Sequence, residues 1–261
     1  MAGGKRIRPI LMLATYKMLS KEEKCNFDVC VPYAVSMEMI HNFSLIHDDL
    51  PGIDNDDIRH GKPTNHKAFN EATAILAGDK LLNGAYANIS DTICDKVASD
   101  LDVKNDVKAI QELTNATNRM IIGEYIDTES EDKNIPIELL EYIHENKTGA
   151  LIEASVRIGA LLANATEKDL EKVTEYAKKI GLAFQIKDDI LSEIGDEKVM
   201  GKPVGNDKKM KKSTYVSMYG VELAKDILNK TIFEAIDSIN TYREKADFLR
   251  DLAKYIRDRE K

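Results

Sequence analysis

Two pairs of adjacent aspartates carry the chemistry this sequence can offer. The first, Asp48-Asp49, closes an apolar helical stretch containing Met37, Met39, Ile40, Phe43, Leu45 and Ile46. Leu50-Pro51-Gly52 follows, then Asp54, Asp56 and Asp57, so five carboxylates fall within ten residues. A helix C-terminus already carries partial negative charge, and two carboxylates there are unfavourable without a compensating cation. A hard cation such as Mg²⁺, which takes carboxylate oxygens, would supply it. Taken alone, the pair reads first as a solvated acidic turn, since such pairs are common. The second pair, Asp188-Asp189, again stands late in an apolar helical stretch, with Gln185 three and four residues before it and on the same face. Each pair precedes a Gly-containing basic loop. That pattern predicts two walls facing one cavity, where the carboxylates would repel unless Mg²⁺ and a phosphate-bearing ligand neutralise them.

The basic groups lie at matching places. Gly3-Gly4-Lys5-Arg6-Ile7-Arg8-Pro9 sets three cations against a helix start, where free N–H groups favour an anion; a solvated tail would look the same. Arg59-His60-Gly61-Lys62 follows the first acidic loop, and Lys202 and Lys212 flank the loop after the second. Lys147-Thr148-Gly149 interrupts a helix otherwise rich in Ala, Leu and Ile, where a lysine can also simply snorkel. His41 lies two turns before Asp48 on the same face, either as a core residue or as a ligand.

Helices must position these groups. Pro9 suits a first helical position, leading a helix through Leu19, and a second spans Cys30 to Asp49 before Pro51-Gly52 stops it. Residues 51–66 read as a polar loop. Further helices are expected at 67–91, 104–127, from Pro136 to Ala163, at 167–193, 219–238 and 244–259, with a second Gly/Pro/Lys loop at 195–213. No period-two stretch is long enough for a sheet, so the fold class is all-α.

Composition agrees. The chain has 261 residues, 43% hydrophobic and 31% charged, with no Trp and 6% aromatics, which suits one large helical core. Its net charge of −8 argues against nucleic acid or an anionic membrane as partner. Cys25, Cys30 and Cys94 form neither a disulfide framework nor a zinc-ligand spacing, as expected in a reducing cytoplasm. No run approaches the roughly 18 apolar residues of a membrane span, and no leader is evident before Gly3-Gly4.

Together these segments resemble the trans-isoprenyl diphosphate synthase family, in its bacterial farnesyl-forming type. GGKRIRP at 3–9 is similar to the isopentenyl diphosphate-binding motif. HDDLPGIDNDDIRHGKPTNH at 47–66 resembles the first aspartate-rich motif, and GLAFQIKDDIL at 181–191 the second. Lys147-Thr148 matches the family's Lys-Thr, and GKPVGND with KST, across 201–214, resembles the loop beyond. The resemblance implies a bundle of long antiparallel helices around a deep cavity, one domain over 1–261 that lacks the helix preceding GGKR in relatives, and a cytoplasmic homodimer. It implies three Mg²⁺ ions on Asp48, Asp54 and Asp188, supported by Asp49 and Asp189. Arg59, Lys147, Lys202 and Lys212 would grip an allylic diphosphate. Lys5, Arg8 and His41 would bind isopentenyl diphosphate. Thr148 and Gln185 would offer oxygens to an allylic cation. Phe43, five positions before Asp48 and next to Ser44, would floor the pocket and stop growth at fifteen carbons; a synthase of longer chains is the alternative. His60 stands where relatives carry an arginine that contacts isopentenyl diphosphate, and Ser192 where they carry an aspartate. A terpene cyclase would not need Lys5, Arg8 and His41, and a non-catalytic subunit of a heteromeric synthase would not need both aspartate pairs.

Overall fold

The computed structural model describes residues 4–22, 24–194 and 213–260. Helix α1 spans Ile7–Leu19 and α2 Val31–Asp48. A two-residue hairpin follows, β1 at Ile58–Arg59 and β2 at Lys62–Pro63, then the short α3 at Asn65–Ala68. The long helices α4 (Glu71–Ala98) and α5 (Lys104–Glu129) lead to α6 (Ile137–His144). A π-helical turn, Glu145–Gly149, joins α6 to α7 (Ala150–Leu162). After α8 (Glu167–Ile194) the described chain resumes with α9 (Tyr215–Tyr219), α10 (Val221–Ser238) and α11 (Asp247–Asp258). Helix α1 starts at Ile7, so Pro9 is its third residue; its missing N–H is still one that the first turn leaves unbonded.

Helix α7 is the axis of the core. It packs directly on α1, α5 and α8; Ile152, Val156, Ala160 and Leu161 belong to the apolar cluster that continues through α8 to α10 and α11, while Leu151, Ala154, Ile158 and Leu162 belong to the one that continues into α2, α4 and α5. A helix buried on two sides is apolar around most of its surface, and only Glu153 and Arg157 interrupt this one with charge. Each fully buried Leu or Ile contributes about 1.5–3 kcal/mol. Gly159 lets α1 approach, because a Cβ there would run into the Met12 carbonyl. A buried polar tie joins α2, α4 and α5: the Tyr33 hydroxyl donates to Asp106 at 2.6 Å, and Lys96 pairs with the same carboxylate. Burying Asp106 without these partners would be costly. No described helix is long and apolar enough to cross a membrane.

Candidate active site

The end of α2 is folded back on itself. The Asp54 N–H donates to the Asp48 carbonyl at 2.9 Å, and Ile53 and Asn55 donate to the Leu50 carbonyl. These bonds satisfy carbonyls that a helix C-terminus leaves open, and they bring the Asp54 carboxylate beside that of Asp48. The hairpin then reverses the chain through His60 and Gly61, both at positive φ (52° and 72°), as a tight two-residue hairpin turn requires. Histidine is among the few side chains that tolerate this region. The reversal returns Arg59 to the aspartates: its Nε donates to Asp49 Oδ1 at 2.7 Å, and Nη2 lies 3.3 Å from Asp48 Oδ2. Burial pushes the Asp49 carboxyl up despite the opposing Arg59 bond. Burial would lower Arg59, but the hydrogen bond to Asp49 and the charges of Asp49, Asp48 and Asp56 together outweigh it, so this cation is held charged.

The π-helical turn delivers the second cation. Lys147 Nζ lies 2.7 Å from Asp127 Oδ2, 2.8 Å from Glu124 Oε2 and 3.7 Å from Asp48 Oδ1. Burial opposes its charge, and these three carboxylates more than reverse that, raising its pKa. Burial raises the Glu124 carboxyl, and Asp48 adds to this against the pull of Lys147. Glycines set the close approaches. A Cβ on Gly123 of α5 would lie 2.8 Å from Asn146 C and Lys147 Cα, and one on Gly181 of α8 would lie 3.1 Å from Gly149 Cα. Backbone therefore meets backbone on both flanks of Lys147.

Oxygens of Asp48, Asp54 and Glu124 lie within 4.8 Å of one another. Among the described residues the buried Asp48 Oδ1 meets no hydrogen-bond partner, and it faces the Lys147 ammonium at 3.7 Å. Converging hard oxygens, one of them unsatisfied, are the donor set a Mg²⁺ ion takes, so the residues present fit the metal.

The basic residues at the start of α1 meet α2. Arg6 pairs with Glu38 at 3.0 Å, and Arg8 Nη1 lies 3.3 Å from His41 Nε2, joining α1 to α2. Burial lowers Arg8 to about 10, against the pull of Glu38 and Asp188. Burial, then the Arg8 charge, drive His41 down to about 2, so its ring is neutral and accepts from Arg8. Lys5 lies exposed at the start of this strip, and His60 is exposed at the hairpin tip.

On α8 the two aspartates are already held. Asp189 Oδ2 accepts the Tyr215 N–H at 2.7 Å, capping α9. Asp188 Oδ1 lies 2.7 Å from Arg259, which also donates to the Phe184 carbonyl at 3.2 Å and stacks over the Phe184 ring at 4.3 Å. Thr148 and Gln185 are half-buried. Phe43 is buried on the inward face of α2, edge-on to His47 at 4.9 Å between ring centroids. Ser44 is turned back to the His41 carbonyl at 2.9 Å. Lys202 and Lys212 lie outside the described residues. A cleft of about 520 Å³ bordered by Lys187, Ile190, Leu228 and Arg259 adjoins Asp188 but shares no residue with the Asp48–Lys147 cluster.

Glu124, Asp127 and Arg259 escaped the reading of the sequence. Glu124 and Asp127, three residues apart just after Gly123, are an acidic pair on one side of a helix, which is a readable signal; Arg259 sits in a charged tail that resembles solvated surface.

An all-α bundle that sets an aspartate pair late in each of two apolar helices, Asp48-Asp49 met by Arg59 and Lys147 and Asp188-Asp189 by Arg259 and the Tyr215 N–H, defines a class of diphosphate-handling proteins. Comparison with known proteins gives the family. The polyprenyl synthetase family model matches residues 1–252. A farnesyl diphosphate synthase of Micrococcus luteus is 42% identical over 260 residues, covering 100% of this chain and 86% of that protein. A geranylgeranyl diphosphate synthase of Cyanophora paradoxa is 45% identical over 259 residues, covering 99% and 84%. The crystal structure of a Helicobacter pylori geranyltransferase, complexed with magnesium and isoprenyl diphosphate, superimposes with a TM-score of 0.83 at 29% identity, covering 98% of this chain and 83% of that one. The chain belongs to the polyprenyl synthetase family and has the all-α isoprenoid synthase fold.

Proposed function

We propose that this protein is a prenyltransferase that condenses isopentenyl diphosphate with dimethylallyl or geranyl diphosphate, releasing diphosphate and ending at farnesyl diphosphate. The observation that carries this reading is the convergence of Asp48, Asp54 and Glu124 on one point, flanked by Arg59 and Lys147. Asp48, Asp54 and Asp188 would hold Mg²⁺, supported by Asp49, which shares Arg59 with Asp48, and by Asp189, which anchors α9. Bound there, Mg²⁺ supplies charge stabilisation to the leaving diphosphate.

The chain's own residues do the rest. Arg59 and Lys147, now resting on carboxylates, are placed to take diphosphate oxygens as the allylic C–O bond breaks, with Lys202 and Lys212 as further ligands. Thr148 and Gln185 present oxygens to the allylic cation. The apolar wall around Phe43 keeps water from capturing it. Lys5, Arg8, His41 and His60 hold the second diphosphate, so that the isopentenyl double bond faces the cation. The new C–C bond forms, and the proton lost from the isopentenyl unit passes to the departing diphosphate. Phe43 closes the pocket floor by steric exclusion. Exposed Leu76, Ile121, Ile122 and Tyr125 on α4 and α5 form apolar surface that supports a homodimer.

The likeness to a geranylgeranyl diphosphate synthase favours longer products as the second reading. The test is Mg²⁺-dependent incorporation of labelled isopentenyl diphosphate into solvent-extractable product, started from geranyl diphosphate. Incorporation abolished by a chelator supports the reading; its absence at saturating substrates refutes it.

A further inference from the structure

One face of α5 reads the π-helical turn along its length. Arg119, Gly123 and Asp127 stand at four-residue intervals, so they share that face. Asp127 takes the Lys147 ammonium, and Gly123 admits the Asn146–Lys147 backbone. Arg119 holds what precedes and follows. Its Nε donates to Asn146 Oδ1 at 3.0 Å, Nη1 to Glu153 at 3.1 Å and Nη2 to Glu145 at 3.2 Å. Asn146 in turn donates from Nδ2 to the Tyr142 carbonyl at 2.8 Å. One planar guanidinium thus grips the first residue of the turn, its buried second residue and the first turn of α7.

A π-helical turn is rare and has to be held, since an α-helical register is the ordinary alternative. Slipping into that register would rotate Lys147 and Thr148 away from their present directions. Arginine suits the task because its fork meets several acceptors in fixed geometry, which a lysine cannot do.

We propose that Arg119 is a positioning residue for the condensation: it holds the π-helical turn in register and so aims Lys147 and Thr148 at the allylic diphosphate. The assignment rests on the prenyltransferase reading above. It predicts selective damage, because the Arg8–His41 strip that receives isopentenyl diphosphate lies on α1 and α2.

The test compares Arg119→Ala, Arg119→Lys and Arg157→Ala. Arg157 is a matched control: it also joins helices, reaching Glu112 at 2.6 Å and Thr174 at 2.7 Å, with 25% side-chain exposure against 33% for Arg119, and it touches neither Lys147 nor the turn. In Arg119→Ala the KM for geranyl diphosphate should rise about 10- to 100-fold, or kcat fall by as much, while the KM for isopentenyl diphosphate stays within about twofold. Arg119→Lys should resemble it, and Arg157→Ala should leave all three constants alone. Hydrogen exchange in a peptide covering 142–150 should quicken about tenfold in Arg119→Ala and not in Arg157→Ala. If Arg119→Ala does not fold, the double variant E145Q/E153Q removes the ionic grip alone, and the same selective shift is expected at about fivefold. Equal rises in both KM values, a lysine variant that behaves as wild type, or unchanged exchange over 142–150 would overturn the proposal. If the wild-type protein does not elongate at all, the prenyltransferase reading falls; the exchange experiment still decides whether Arg119 holds the turn.

Discussion

Replacing Gly123 with alanine tests whether the placement of Lys147 depends on backbone contact. In an exposed helix, Gly→Ala stabilises by about 1 kcal/mol. Here the added Cβ would lie 2.8 Å from Asn146 C and Lys147 Cα and closer still to the Lys147 nitrogen, where ordinary contact begins near 3.4 Å. The π-helical turn must then move away from α5 by about 1 Å, because close-packed backbone cannot absorb the overlap. Overpacking of this kind costs about 1–3 kcal/mol, which in a chain of this size lowers the melting temperature by about 2–10 °C. A displacement of about 1 Å at a group that orients the substrate reduces turnover by about 100-fold. Steady-state elongation of geranyl diphosphate and thermal unfolding of Gly123→Ala measure both effects. Gly84→Ala is the comparison, since its Cβ meets only the flexible Met39 methyl at 2.7 Å; it should keep wild-type activity. A Gly123→Ala protein that is as stable as wild type and elongates within about threefold of it would refute the reasoning.

Other substitutions probe separate parts of the account. Asp48→Asn and Asp54→Asn should each lower kcat by about 10²- to 10³-fold and raise the Mg²⁺ concentration needed for half-maximal rate, as seen in a metal titration of activity. Phe43→Ala should shift the terminal product beyond fifteen carbons with little loss of rate, measured by chromatography of the dephosphorylated alcohols. His144 is buried, its Nδ1 meets no hydrogen-bond partner among the described residues, and burial lowers its pKa to about 4. Below pH 6.5 the unfolded chain takes up a proton at this ring that the folded chain refuses, so stability is lost as pH falls from 6.5 towards 4. His144→Phe keeps the stacking on Tyr215 and removes this term, so it should retain about 2 kcal/mol more of its pH 7 stability at pH 4.5 than wild type does, in paired denaturant titrations.

What the sequence made legible follows from how local each signal is. The end of α2 was readable because an apolar helix face, an Asp pair and Pro51-Gly52 fall within a few residues of one another. The Lys147-Thr148-Gly149 interruption was readable as a break in an apolar run, but not as a π-helical turn. That register is held by Arg119, 26 to 34 residues away in sequence from its partners. Residues 51–66 read in the sequence as a polar loop. A pair of two-residue strands shows no periodicity, so the hairpin that returns Arg59 to Asp49 was invisible. Helix α4 runs to Ala98 rather than ending near 91, because the polar stretch taken for a linker is its exposed last turns. Arg259 was out of reach because its partner Asp188 is 71 residues distant, and nothing in a charged tail distinguishes a buried arginine from a solvated one. Fold class and the aspartate pairs were therefore local information; the groups that hold those pairs are tertiary.

The most direct test of the central claim is the terminal product of the wild-type protein. Protein, Mg²⁺, geranyl diphosphate and excess isopentenyl diphosphate are incubated to completion, and the dephosphorylated alcohols are sized. Farnesol is the predicted end point. Geranylgeraniol or longer alcohols would contradict Phe43 as the pocket floor, and geraniol alone would contradict the condensation itself.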